Sequence, residues 1–217
     1  MDQQRLAERV GLYGLLRTLY AYPLQGPLLE TVARLTVEPD SPLAPGLKRM
    51  QSALDDGISP DALEALNVEM TRLLEGPGLT PAPPYASYYL HDGLLMGPAA
   101  VAARQSYLEW EVVPEGEIRI PDDHITLELG FLAHLAVRAA AGDSDADEAL
   151  AASQAFIVEQ LMPWLPSFCA ALRTASHDPF FLGLADFTMA AIKDDRDWLS
   201  ATLAENAGQA VFAASIQ

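Results

Sequence analysis

The chain has 217 residues, half of them hydrophobic, and a net charge of −17. That length suits one large core or two small ones, and the charge argues against nucleic acid and anionic membrane surfaces as partners. No apolar run approaches the ~20 residues of a bilayer span, so no integral membrane segment is expected. Cys169 stands alone, which excludes an internal disulfide framework and a cysteine-rich metal site.

The start, Met1 to Arg5, has no basic region followed by an apolar block, so no secretory signal is expected and the chain reads as cytoplasmic. Residues 3–22 carry Leu6, Val10, Tyr13, Leu16 and Tyr20 at helical spacing, and Pro23 ends the run. Shorter helices are expected over residues 27–37 and 46–55, on either side of a loop marked by Pro39, Pro42 and Pro45. Ser59-Pro60-Asp61 is a helix start, with a serine cap, proline at the first position and an acid in the first turn. The helix that follows breaks at Gly76-Pro77-Gly78 and gives way to Pro81-Ala82-Pro83-Pro84-Tyr85-Ala86-Ser87-Tyr88-Tyr89. This proline-braced segment presents amphipathic rings on a stiff support, which suits peptide binding or an interhelical loop whose aromatics fill the core.

Gly97-Pro98 opens the next helix, and residues 113–121 read as an extended connection. Pro121-Asp122-Asp123-His124 starts a helix over 124–141, with either aspartate as its cap. A helix through Leu161 is interrupted at Met162-Pro163-Trp164, resumes over 167–175, and Asp178-Pro179 starts the last one, with a weakly patterned tail after Asn206. No repeat or linker divides the chain. Residues 1–217 are expected to form one all-α domain, a bundle of roughly nine or ten helices with a hinge over 113–121.

Catalytic patterns are thin. His91, His124, His134 and His177 share no metal-ligand spacing, and no glycine-rich lysine loop is present. Ser87, His124 and Asp123 form a triad only on paper, because adjacent aspartate and histidine at one helix start point apart. No catalytic residue, no metal and no cofactor are expected, and the chain is not read as an enzyme. Between Glu109 and Glu128 seven acids accompany the single Arg119, a density that suits a basic ligand or a solvated face.

In this order and at these spacings the pieces resemble the TorD/DmsD/NarJ family of redox-enzyme maturation chaperones, nearest its DmsD-like members. The resemblance rests on the arginine-leucine-leucine run into Gly76-Pro77, on Pro83 to Tyr89, and on Gly97-Pro98 leading to Arg104. It continues through Pro121 to His124, Pro163-Trp164 and Asp178-Pro179-Phe180-Phe181. It implies a cytoplasmic chaperone that binds the twin-arginine signal peptide of a molybdenum-cofactor oxidoreductase subunit, assists cofactor insertion and proofreads the subunit before Tat export. Its partners would be that leader and the catalytic subunit, and the chain a monomer or a domain-swapped dimer. Carried over by position, the leader-binding residues would be Tyr22, Met70, Arg72, Leu73, Leu74, Pro84, Tyr85, Tyr89, Pro121, Asp123 and His124. The family often has tryptophan where this chain has Met70, Tyr85 and Tyr89, which leaves the partner reductase open. The alternative is a protein that binds guanine nucleotide or molybdenum cofactor without reading a leader.

Overall fold

The computed structural model describes residues 2–76, 80–113, 120–142 and 144–214, with side chains as far as 208. Among these residues it is all-α: α1 Gln3–Leu19, α2 Gly26–Arg34, α3 Ala44–Ser52, α4 Pro60–Met70, α5 Ala86–Leu90, α6 Pro98–Glu109, α7 Ile125–Ala141, α8 Ala146–Phe156, α9 Leu165–Ala175 and α10 Pro179–Ala214. Single π-helical turns, Thr71–Glu75 and Ile157–Leu161, extend α4 and α8.

Local chemistry sets most of the starts. The Asp2 carboxylate caps α1 by accepting from Gln4 and Arg5 N–H, and the Ser59 hydroxyl caps α4 by accepting from Ala62 N–H. In α1 the buried stripe is Leu6, Arg9, Tyr13 and Leu16, and it packs on α7. Arg9 is admitted to that stripe because Asp195 of α10 meets it at 2.7 Å and takes the Tyr13 hydroxyl at 2.6 Å. A buried charge is tolerable only with such a partner.

Several details differ from expectation. The first helix ends at Leu19 rather than residue 22, and α10 continues to Ala214, past the expected weak tail. The Pro81–Tyr89 stretch is extended only to Tyr85, after which Ala86–Leu90 forms a short helix. The cap of α7 is His124 and neither aspartate. The expected hinge over 113–121 falls largely on 114–119, and the Gly76-Pro77-Gly78 break on 77–79; both stretches lie outside the described residues.

The core is one continuous cluster that runs from Leu6 to Leu199 and takes in Trp164, Phe168, Phe180, Phe181 and Phe187. Helices α3 and α10 approach each other closely at two glycines, Gly46 and Gly183. A methyl carbon added to Gly183 would lie 2.5 Å from the Met50 backbone nitrogen and 2.7 Å from the Gly46 carbonyl oxygen. Glycine is required there by the contact itself. Among the described residues no single helix is long and apolar enough to cross a membrane.

Gly183→Ala is expected to destabilise the fold by about 2–3 kcal/mol, because backbone rather than a flexible side chain blocks the added methyl. Gly11→Ala in α1, where nothing lies within 4 Å, should stabilise by about 0.5–1 kcal/mol. Urea unfolding of the two variants checks the opposite signs.

Candidate functional site

The proline-aromatic segment is held by a short backbone clamp at the start of α7. Tyr85 and His124 form an isolated antiparallel bridge: Ile125 N–H donates to Pro84 O at 2.9 Å and Ala86 N–H to Asp123 O at 3.0 Å. The Asp123 side chain completes it by accepting from Ser87 N–H at 2.7 Å. Asp123 is fully buried, and its second oxygen has no hydrogen-bond partner. Asp122 pairs with Arg104 at 2.7 Å, while its backbone carbonyl accepts from the Tyr107 hydroxyl at 2.8 Å. Both aspartates are thus engaged within the fold.

His124 Nδ1 accepts from Thr126 N–H at 3.2 Å and lies 2.7 Å from the Thr126 hydroxyl. With Nδ1 accepting, the proton sits on Nε2, which faces Glu75 at 3.8 Å. That separation is too long for a hydrogen bond, and burial lowers the His124 pKa to about 4, so the ring is neutral near pH 7. The Tyr85 ring meets it edge-on, with centroids 4.9 Å apart. Burial also raises the Glu75 carboxyl, and it raises the Tyr85 phenol together with the nearby Glu75 and Asp123 charges.

Beside this clamp opens a pocket of about 360 Å³, lined by Leu74, Glu75, Gly76, Thr80, Pro83, Tyr85, Tyr88, Gly93 and Leu95. Among the described residues of that lining, Glu75 is the one carboxyl beside the two tyrosine phenols. The turn after α5 puts Asp92 and Met96 at positive φ and leaves Leu94, Leu95 and Met96 exposed at 66%, 53% and 75%. An apolar rim around an acidic, aromatic pocket can take an extended segment with a basic and an apolar part.

The residues expected from sequence fall into four places. Leu74 and Tyr85 line the pocket, with His124 packed on Tyr85. Pro84, Pro121 and Asp123 lie behind them: Pro84 O and Asp123 take part in the clamp, and Pro121 O accepts from His124 N–H at 3.1 Å. Met70 and Leu73 are wholly buried beneath the π turn, and Tyr89 stacks on Trp164 with centroids 5.8 Å apart. Arg72 is directed elsewhere, bonding Glu69 and the Ala175 carbonyl at 2.7 Å each, and Tyr22 is exposed without lining the pocket. Tyr20 is a core residue, its hydroxyl 3.0 Å from Thr188.

The paper triad is not assembled. Ser87 is buried with its hydroxyl accepting from Gly97 N–H, Asp123 bonds a backbone amide, and His124 bonds Thr126. Among the described residues no group of His, Cys, Asp and Glu could hold a metal ion.

Sequence reasoning passed over Glu75 and Glu128. The signal for Glu128 was available: it falls on the same helical face as Ile125, Leu129, Leu132 and Leu135, all fully buried. An acid in an apolar stripe needs an explanation, and here Trp164 Nε1–H donates to it at 3.1 Å.

The sequence profile of the nitrate reductase delta subunit family matches residues 40–170, which include the π turn, the clamp and Trp164. The chain belongs to that family. The resemblance drawn from the motifs is borne out. A TorD chaperone of Vibrio cholerae is 37% identical over 126 residues, 56% of each chain, and one of Vibrio vulnificus is 38% identical over 100 residues, 45% of this chain and 46% of that one. The chain therefore spans about half the length of the curated relatives it matches. A structure described as a redox enzyme maturation protein from Archaeoglobus fulgidus has a TM-score of 0.51 over 88% of this chain and 93% of that chain, at 23% identity, a likeness of fold.

Acidification tests the neutral imidazole. With its folded pKa lowered to about 4 from 6.5, His124 contributes stability that is full above about pH 6.5 and lost as the pH falls toward 4, about 3 kcal/mol in all. Glu128, raised by burial, runs the other way, its contribution being lost as the pH rises. Wild type should therefore lose more stability between pH 7 and 4 than His124→Asn, which keeps a cap acceptor; equal losses would mean that folding does not lower the pKa of the ring.

Proposed function

We propose that the chain is a chaperone for a redox enzyme, binding the twin-arginine signal peptide of a molybdenum-cofactor oxidoreductase subunit. In this reading it assists cofactor insertion and proofreads the subunit before Tat export, and it acts in the cytoplasm without catalysing a reaction. The observation that carries the reading is the pocket where Glu75, Tyr85 and Leu74 lie beside the exposed Leu94-Leu95-Met96 rim. A leader supplies a guanidinium for the carboxylate and an apolar stretch for the rim. The similarity to TorD chaperones of Vibrio supports the general role.

Within this reading the sequence-derived residues divide by task. Tyr85 and Leu74 touch the leader, while Pro84, Pro121, Asp123 and His124 hold the contact surface in shape. Met70, Leu73 and Tyr89 support that surface from within, and Arg72 anchors the π turn to the end of α9. The continuous core supports a single domain over residues 1–217, present as a monomer or, by exchange about 113–121, a swapped dimer.

Calorimetric titration with a synthetic twin-arginine leader from the reductase encoded beside its gene is the direct test. Binding should weaken at least tenfold when both arginines become glutamine; equal binding of the two peptides would refute arginine recognition. Tyr85→Ala should weaken the leader about tenfold through lost aromatic contact, with a smaller change in unfolding free energy, because the ring is only partly buried. An unchanged affinity would place Tyr85 outside the binding surface.

A further inference from the structure

A second pocket, of about 230 Å³, opens beside the end of α5. Leu90, Pro98, Ala99 and Ala102 contribute its walls, and Glu128 and Gln160 its polar groups. Among the described residues its lining holds no arginine or lysine, and Glu159 adds an exposed carboxylate.

Its polar atoms are incompletely used. Glu128 is 1% exposed, and among the described residues its only hydrogen-bond partner is the Trp164 indole, on one carboxyl oxygen. Gln160 Nε2 donates to the Ser106 hydroxyl at 2.7 Å, and that hydroxyl donates to Ala102 O at 3.4 Å. This chain of donors orients the amide and leaves Gln160 Oε1 buried with no partner. His91 Nε2 is buried and unpartnered as well. A buried acceptor without a donor is costly, so the Glu128 carboxyl and Gln160 Oε1 point to a missing donor-rich group.

We propose that this second pocket holds the guanidinium of one arginine side chain of the bound leader, with Glu128 and Gln160 Oε1 as its acceptors and the apolar walls around its methylene stem. The planar fork of a guanidinium can serve a carboxylate and a neighbouring carbonyl oxygen together, which a lysine ammonium does less well. Glu159 would draw the cation to the mouth. The proposal rests on the leader reading only for the source of the arginine. It assigns a role to Glu128 and Gln160, which the first pocket does not use.

Guanidinium binding also carries a proton signature. Burial, with the Asp123 charge beside it, raises the Glu128 pKa well above the ordinary carboxylate value against the opposing indole hydrogen bond. The other titratable groups around it are His91 and Glu159 in the pocket and Tyr107 of α6. A cation therefore has to displace the Glu128 proton, and affinity should rise with pH.

The test is titration of the full chain with n-butylguanidinium and with n-butylurea, which has the same shape and no charge. Saturable butylguanidinium binding with proton release, at least tenfold tighter than butylurea, is expected. Ala102→Leu, which fills the mouth and leaves the Glu128–Trp164 bond untouched, should abolish it; Glu128→Gln should do the same. Equal binding of the urea, no binding of either compound, or guanidinium binding that survives Ala102→Leu would overturn the site. The leader should bind Ala102→Leu at least tenfold more weakly than wild type, and an unchanged leader affinity would overturn the leader as the source. Because the small probe needs no leader, failure of this site and failure of the leader reading are seen separately.

Discussion

A single backbone bridge, between the extended residues Tyr85 and His124, holds the candidate site together. The pairing of Pro84 and Ala86 with Asp123 and Ile125 is the one place where strand-like hydrogen bonding occurs among the described residues, and it joins segments nearly forty positions apart. It fixes where α5 starts, where α7 starts, and which way the Tyr85 and His124 rings face. Asp123 belongs to this clamp as a side chain imitating a backbone acceptor. Its burial is acceptable because it accepts from the buried Ser87 amide, which needs a partner. Both pockets border the elements that the clamp positions.

The helix starts were legible because their chemistry is local. Ser59-Pro60, Gly97-Pro98 and Asp178-Pro179 each open a helix where the sequence places one, since caps and prolines act within a turn. The family pattern was legible too, being a matter of order and spacing. The side chain that caps α7 was not: two aspartates and a histidine stand in a row, and only the approach of the proline segment decides that Asp123 turns inward and His124 caps. The fate of Arg72 was equally hidden, since its partners lie at Glu69 and, a hundred residues on, at Ala175. Leu73 and Met70 illustrate the same limit, because a π turn rotates the helix face and no propensity rule announces it.

The two pockets share an electrostatic character that the overall acidity conceals. Glu75 and Glu128 are held toward the neutral form by burial, and His124 is neutral for the same reason. The net charge is strongly negative, while desolvation disfavours ionisation of both acids, of Glu128 by full burial and of Glu75 by partial cover. A cation entering such a place gains little from bulk charge and much from creating a carboxylate next to itself. Apolar walls, and acids whose ionisation is disfavoured, also keep the empty surface from attracting arbitrary cations as strongly as an open acidic patch would.

The order of contacts along the chain bears on how the protein is made. α1 packs on α7 and α3 on α10, so elements near the beginning find their partners more than a hundred residues later. Gly46 and Gly183 bring α3 and α10 together almost backbone to backbone, and nothing earlier in the sequence can take the place of that surface. During synthesis from the amino end, α1 emerges before its partner α7 and α3 before its partner α10, so their apolar stripes stay uncovered in the interval. The chain thus passes through an incomplete stage of its own, in which the surface that receives α10 is already made and still open.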